Sequence, residues 1–289
     1  MRVLVTGASG FIGRNLVEQL PFEVLAPRRA ELDLLDLDSV RGYLRREKPD
    51  AVVHSATTPG HRNAQPVDLA ARNLRMFFHL AENAGSFGRM IVLGSGAEYD
   101  QRFYQPKMPE TYAGTHVPAD ETGLSKFVIS RAVQAHPGWV HLRPFGVFGK
   151  YEDWEIRFIS NALCKALFQK PITLRQDRRF DYLFIDDLCR IVAHFLEKPA
   201  THSDYNATPD EAVELSQVAE LVREVAGVEV PVRIAQPGMG LEYSGANARL
   251  RREIPGLTFT PLREAVARLH AFYVEHRASI REDALLVDK

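Results

Sequence analysis

The sequence predicts an α/β fold, a doubly wound parallel sheet with helices on both faces and a smaller mixed α/β region after it. Three observations carry this. Through the first half of the chain, short apolar runs alternate with stretches of helical spacing. The runs are apolar throughout instead of at every second residue, as in strands covered on both faces. The links between them are short, and strand, helix and strand in succession build right-handed parallel units.

The elements read in order as follows. "RVLVT" (2–6) is a buried strand bounded by glycine, and "FIGRNLVEQL" (11–20) carries apolar residues at helical spacing. "FEVLAP" (22–27) is a second strand, "DLDSVRGYLRREKP" (36–49) a helix and "DAVVHSA" (50–56) a third strand. A longer helix is expected over 66–85 and a strand, "RMIVLGS", over 89–95. A loop rich in Tyr, Pro and polar residues (99–120) leads into the helix carrying "TGLSKFVISRAVQ", and "GWVHLRP" (138–144) reads as a sixth strand. From about residue 151 the rhythm loosens, with helices expected near 152–169, 186–197, 214–226 and 261–277 and short strands between. Two regions are expected, 1–150 and 151–289, with segments free to interleave and a cleft between them.

Composition narrows the class. The chain has 289 residues, 45% hydrophobic and 25% charged, enough for a full core of ordinary globular type. A net charge of -1 gives no reason to expect nucleic acid or an anionic membrane surface as partner. Two cysteines, Cys164 and Cys189, are too few for a disulfide framework and are expected reduced. No signal pattern opens the sequence and no apolar stretch reaches about 18 residues, so a cytoplasmic location is expected. The ten histidines show no close ligand spacing, and no metal is expected.

"TGASGFIG" sets Gly7, Gly10 and Gly13 between the first strand and the first helix. Glycines permit a tight turn and close backbone approach, and the helix N-terminus favours an anion. The loop Gly7–Gly13, with Ser9, Phe11 and Ile12, is therefore a candidate cradle for the pyrophosphate of a dinucleotide, in the Rossmann manner. The spacing differs from GxGxxG. Together with "LGSGAEY", "GLSKF", "RPFGVFG" and "RFDYLFIDDL" it resembles the extended short-chain dehydrogenase/reductase family, the NAD-dependent epimerases, dehydratases and reductases of nucleotide sugars. The resemblance spans essentially the whole chain. It implies an NAD(P)-binding Rossmann domain over 1–150, a region over 151–289 gripping a nucleotide-diphosphate sugar, and a homodimer through 66–85 and 121–136.

The second strand is followed by Arg28 and Arg29 where NAD-preferring folds tend to place an acidic residue. A guanidinium offers paired donors to a 2′-phosphate, which favours NADP, with NAD the alternative. The resemblance implies that Arg29 contacts that phosphate, Asp33 and Leu34 lie near the adenine, Ser55 and Ala56 line the channel, and Asn73 supports the central strands.

Hydride exchange at a sugar carbon needs a proton to leave or arrive at the oxygen. The family is expected to use a tyrosine activated by a lysine four residues later, with a serine or threonine from the preceding strand's end on the same oxygen. Lys126 matches the lysine and Ser95 the hydroxyl, but Thr122 stands in the tyrosine's slot. A threonine hydroxyl hydrogen-bonds without ionising near neutral pH and is shorter than a phenol. Three readings follow: a deliberate replacement that traps a ligand; another acid, with Tyr99, Tyr112, Tyr151 or a water chain as candidates; or binding without turnover.

The run Ser95-Gly96-Ala97 lacks the Thr-Asp-Glu that the resemblance implies for dehydratases, and Ala97 replaces the cysteine of the 3,5-epimerase/reductases. Glu98 lies one position on, where strand alternation turns it to the other face. Reduction of a 4-keto nucleotide sugar is the favoured reaction. C4 epimerisation with retained NAD, or silent binding, is the alternative. The resemblance points to Ser95, Gly96, Tyr151, Arg157, Asn161 and Arg179 on the substrate side, Arg179 toward the diphosphate, while Gly146 replaces a frequent asparagine. Asp186 and Asp187 are expected to cap the next helix, and Trp139 and Trp154 to pack.

Overall fold

Strands apolar on both sides need cover on both faces, and the computed structural model, which describes residues 1–58 and 68–286, supplies it. The first half runs β1 (Arg2–Thr6), α1 (Phe11–Gln19), β2 (Glu23–Leu25), α2 (Leu37–Glu47), β3 (Ala51–His54) and α3 (Leu69–Ala81). It continues through β4 (Arg89–Leu93), α4 (Glu121–Val133) and β5 (Val140–Pro144). Then come β6 (Gly146–Phe148), α5 (Phe158–Leu167), β7 (Ile172–Asp177), β8 (Arg179–Phe180), β9 (Tyr182–Phe184) and α6 (Ile185–Glu197). The last elements are β10 (Asp204–Ala207), β11 (Val213–Glu214), α7 (Leu215–Ala226), β12 (Val232–Met239), α8 (Ala248–Glu253) and α9 (Leu262–Glu275).

Six strands form one sheet in the order β10-β5-β4-β3-β1-β2, with every pairing parallel. The strand expected as sixth, β5, is the fifth in chain order. The sheet's outer strand beyond it is β10, drawn from after residue 150. The helix expected over 66–85 is described from Leu69, its first residues lying outside the described part of the chain.

Successive side chains on a strand point to opposite faces. Val3, Val5, Val53, Ile91 and Leu93 join one buried cluster with Leu16 of α1, Leu163 of α5 and Ile191 of α6. Leu4, Val52, Met90 and Val92 join the other, with Leu44 of α2, Phe77 of α3 and Ile129 of α4. Each such side chain contributes about 1.5–3 kcal/mol of burial, so the sandwich of helix, sheet and helix is held by both faces. Trp139 packs as expected, stacked on Phe87 at 5.9 Å. Cys164 and Cys189 are buried free thiols.

One expectation is corrected here. Asp186 and Asp187 do not cap α6, whose N-cap is Phe184 without a side-chain cap bond. Asp187 accepts from the amide and hydroxyl of Thr260 at 2.9 and 2.8 Å, and Asp186 from Gln19 at 3.0 Å. Both carboxylates sit in the helix's first turn and bind neighbouring segments instead.

From β1 the chain turns to β2 on one side, and its next strand, β3, pairs on the other. Such a reversal opens a crevice at the carboxyl ends of the two strands, where ligands of doubly wound sheets bind. Among the described residues no helix is long and apolar enough to cross a membrane.

Candidate active site

The crevice between β1 and β3 is closed at its base by two short loops. Ser55 donates to the Thr6 carbonyl at 2.6 Å, and the Ala56 amide donates to the Thr6 hydroxyl at 3.3 Å. Gly7 turns with φ +70, and a Cβ there would stand 2.8 Å from the Ala56 Cα, while one on Gly13 would overlap the Gly7 carbonyl. Glycine is needed at both positions. Ser9 and Gly10 are exposed at the tip of the turn, and α1 starts at Phe11 behind Gly10, with no side-chain cap and no acidic residue in its first turn. An uncapped helix start inside a cradle with no room for side chains fits an anionic pyrophosphate.

At the rim of this crevice Arg28 and Arg29 are exposed, and Arg29 pairs with Asp33 at 3.5 Å. Asp33 also accepts from the Leu35 amide at 3.0 Å, whereas the Leu34 side chain is buried against α2 and α3. Asn73 is buried in α3 and accepts from the Thr58 amide at 2.7 Å. Its amide reaches Ser125 of α4 at 3.5 Å, joining the two helices.

Ser95 and Lys126 converge at the end of β4. Asp120 starts α4 by accepting from the Gly123 amide at 2.8 Å, and the small Gly123 brings this first turn against the Ala97 carbonyl. One turn on, Lys126 Nζ donates to the Leu93 carbonyl at 2.9 Å, two residues before Ser95. Ser95 Oγ accepts from the Ala97 amide at 3.1 Å and lies 3.4 Å from the Tyr243 hydroxyl. Thr122 is exposed on the first turn of α4, and its hydroxyl makes no hydrogen bond among the described residues.

Lys126 is drawn inward. Burial lowers its amine to about 8, opposed by the charge of Glu98. The histidines beside it add no cation at neutral pH: burial holds His54 down to about 3 and His141 well below its usual value. Glu98 does turn away from the substrate side, but not by strand alternation. The strand ends at Leu93, and Glu98 lies in a 3-10 turn, Gly96–Tyr99, that carries it inward to Arg143. Residues Ser95-Gly96-Ala97 therefore have no carboxylate of that turn beside them.

Of the tyrosines that could serve as substitute donors, Tyr99 and Tyr151 are engaged elsewhere. Tyr99 donates to Asn206 at 2.7 Å inside the core, with burial pushing its phenol up. Tyr151 donates to Glu18 of α1 at 2.8 Å, while Tyr112 lies against His116 at the edge of the cluster that holds Phe145 and Tyr243. Tyr243 and Tyr104 are the phenols at the site, the latter donating to the Gly96 carbonyl at 2.9 Å. No sequence signal pointed to Tyr243, which lies 148 residues from Ser95.

On the substrate side, the Arg179 carbonyl accepts the Tyr243 amide at 3.0 Å, its side chain is exposed, and the charge of Arg157 acts on the Tyr243 phenol. Of the two, Arg157 is the one whose charge reaches the phenol beside Ser95, whereas the Arg179 guanidinium donates to the Ala212 carbonyl at 3.0 Å. Tyr151 stands beside α1, and Asn161 is buried with its amide on the Trp154 carbonyl at 3.1 Å. Gly146 has no room for the asparagine the resemblance implied, since Asp181 and the Phe180 ring occupy that space. Among the described residues no cluster of His, Cys, Asp and Glu could hold a metal.

The sequence pattern of the NAD dependent epimerase/dehydratase family matches residues 3–208. A GDP-6-deoxy-D-talose 4-dehydrogenase from Aggregatibacter actinomycetemcomitans is 26% identical over 81% of this chain and 83% of its own. Among solved structures, a GDP-mannoheptose C4 reductase from Campylobacter jejuni with NADP bound superposes with a TM-score of 0.81 at 17% identity, over 94% of this chain and 98% of its own. A UDP-glucose 4-epimerase from Thermotoga maritima does so with 0.80 at 18%, over 96% of this chain and 100% of its own. At such identities the two structures speak for the fold.

Proposed function

The chain belongs to the NAD dependent epimerase/dehydratase family, and from that membership we propose that it is an NADP-dependent reductase of a 4-keto sugar linked to GDP. One observation carries the reaction type: Ser95 and Lys126 meet at the end of β4, while Glu98 is withdrawn onto Arg143. Elimination of water needs an added acid and base that this turn does not offer. A single hydride transfer needs a hydroxyl, a cation and a proton source. The GDP moiety rests on the relatives, which include the talose dehydrogenase and GDP-L-fucose synthases such as one from Arabidopsis thaliana.

A bound NADPH supplies the hydride. The backbone from Gly7 to Gly13 holds its pyrophosphate, Arg29 with Arg28 its 2′-phosphate, and Asp33 borders the adenine. Ser55, Ala56 and Asn73 line the passage to the nicotinamide, and Lys126 holds the adjoining ribose. Ser95 donates to the substrate's carbonyl oxygen, and Arg157 and Arg179 face the diphosphate.

The test is NADPH consumption with a GDP-linked 4-keto-6-deoxy sugar, run on this chain and on Thr122→Tyr. Turnover by the unaltered chain supports the reading and shows that it has its own proton donor. Turnover only in Thr122→Tyr assigns a disabled site, and none in either, with NADPH still bound, assigns a binding protein. Cofactor choice is separable. Arg29→Ala should weaken NADPH binding about tenfold to a hundredfold, the loss of one or two charge-assisted hydrogen bonds, and leave NADH unchanged. Fluorescence titration of both cofactors checks this, and an equal loss for the two would remove Arg29 from the 2′-phosphate.

A further inference from the structure

The geometry points to Tyr243 as the catalytic acid, its phenol standing beside Ser95 in place of a tyrosine at position 122. This rests on the reductase reading and adds the residue that reading lacks.

Tyr243 is fixed from both sides of its chain. Its amide donates to the Arg179 carbonyl at 3.0 Å, and its own carbonyl accepts from the Asp181 amide at 3.1 Å. The buried Asp181 carboxylate accepts from the Gly245 amide at 2.8 Å, from Thr208 at 2.5 Å and from Lys107 at 3.2 Å. Around the ring stand Phe180, Phe145 and Tyr104, with centroids 4.8, 4.9 and 5.2 Å away. This slot leaves the phenol little choice of position. Gly96 completes it, because a Cβ there would lie 2.8 Å from the Tyr243 hydroxyl. One departure from the family's expected pattern also falls here: Gly146 admits Phe180 and Asp181, which carry Tyr243.

Two hydroxyls 3.4 Å apart can both donate to one oxygen at about 2.8 Å from each. A substrate ketone seated there receives hydride from the reduced nicotinamide at its carbon. The carbonyl π pair moves to oxygen, and that oxygen takes the Tyr243 proton to give the alcohol. The phenolate left behind is stabilised by the Arg157 charge, and regains a proton from solvent. One NADPH and one proton are consumed for each ketone reduced. Burial raises the phenol to about 12, with the Ser95 and Tyr104 hydroxyls opposing, so the proton is in place at neutral pH.

Tyr243→Phe keeps the ring and removes only the acid. Its kcat should fall about 10²–10⁴-fold, while its NADPH dissociation constant should stay within about threefold of the unaltered chain's. A second readout needs no turnover. The cationic ring of bound NADP+ should make one phenol ionise at lower pH, seen as phenolate absorbance, and this shift should vanish in Tyr243→Phe. If the unaltered chain reduces its substrate and Tyr243→Phe does so within about threefold, the assignment is overturned. It is equally overturned if NADP+ produces no phenol shift, or one that survives in Tyr243→Phe. A chain that reduces no ketone but shows the Tyr243-dependent shift fails the reductase reading alone and supports the placement of Tyr243.

Discussion

Lys126→Met is expected to leave a folded protein whose kcat with NADPH and a 4-keto nucleotide sugar is about 10³-fold lower, within the range of general acid–base effects. Lys126 is the cation placed at the end of β4, with its Nζ on the Leu93 carbonyl, and methionine has neither charge nor donor to offer the cofactor's ribose. The loss should not come from unfolding. Burial lowers the amine from 10.5 to about 8, so the unfolded chain binds this proton more tightly than the folded one. The protonated lysine therefore destabilises the fold, fully below about pH 8, and the cost is relieved as pH rises from there toward 10.5. Methionine removes the cost, and its melting temperature at pH 7 should equal or exceed that of the unaltered chain. In the unaltered chain kcat/KM should decline above about pH 8, as the ammonium of the free enzyme is lost. Thermal melts beside the pH–rate profile check both arms. Turnover within about tenfold in Lys126→Met would remove this residue from the reaction.

Arg143→Met is expected to destabilise the protein by about 3–5 kcal/mol, the range for breaking a buried ion pair by removing one partner. The guanidinium is fully buried, donating to Glu98, to Asp204 at 2.5 Å and to Ser130 at 3.0 Å. Asp204 would keep Arg249 at 2.6 Å, but Glu98 would lose its guanidinium partner and keep the Ser130 hydroxyl, the neutral ring of His141 at 3.5 Å and the more distant charge of Lys126. Burial already raises the Glu98 carboxyl above its usual 4.5, with Arg143 opposing the rise. For an acid raised in the folded state, the ionised form destabilises. The penalty is absent below the unfolded value of 4.5 and grows as pH climbs to the folded value. Without Arg143 that folded value moves higher still. The deficit should accordingly be largest at neutral and alkaline pH and shrink on acidification. Urea unfolding at about pH 5 and pH 8 measures this, and adding Glu98→Gln should recover at least half of the loss. A deficit that is flat with pH and untouched by Glu98→Gln would mean that cavity formation, not uncompensated charge, is responsible.

Glu98 also shows where a reading of the sequence stops. Its withdrawal from the substrate side was legible, but the reason was not. Strand alternation assumes that β4 continues past Gly94, whereas Ser95 begins a 3-10 turn whose direction is set by His141 and Arg143 on the neighbouring strand. Asp186 and Asp187 follow the same logic. They occupy a helix start, where acidic residues commonly cap, and are taken by Thr260 and Gln19 from distant segments. The strand Asp204–Ala207 offers four buried residues in which a tyrosine is the one large apolar side chain. Its place became clear only through its pairing with β5.

What the sequence determined by itself was whatever a few neighbouring residues can express: apolar runs that make strands, the glycine turn at the first helix, and Ser95 and Lys126 at their positions on a strand end and a helix. Those patterns act over one turn or one strand, and local sterics and hydrogen bonding suffice to read them. Which phenol stands beside Ser95, which carboxylates are withdrawn and which strand closes the sheet were decided by tertiary structure. These depend on packing between segments up to 167 residues apart, where each partner's identity reflects the space and charge left by the other.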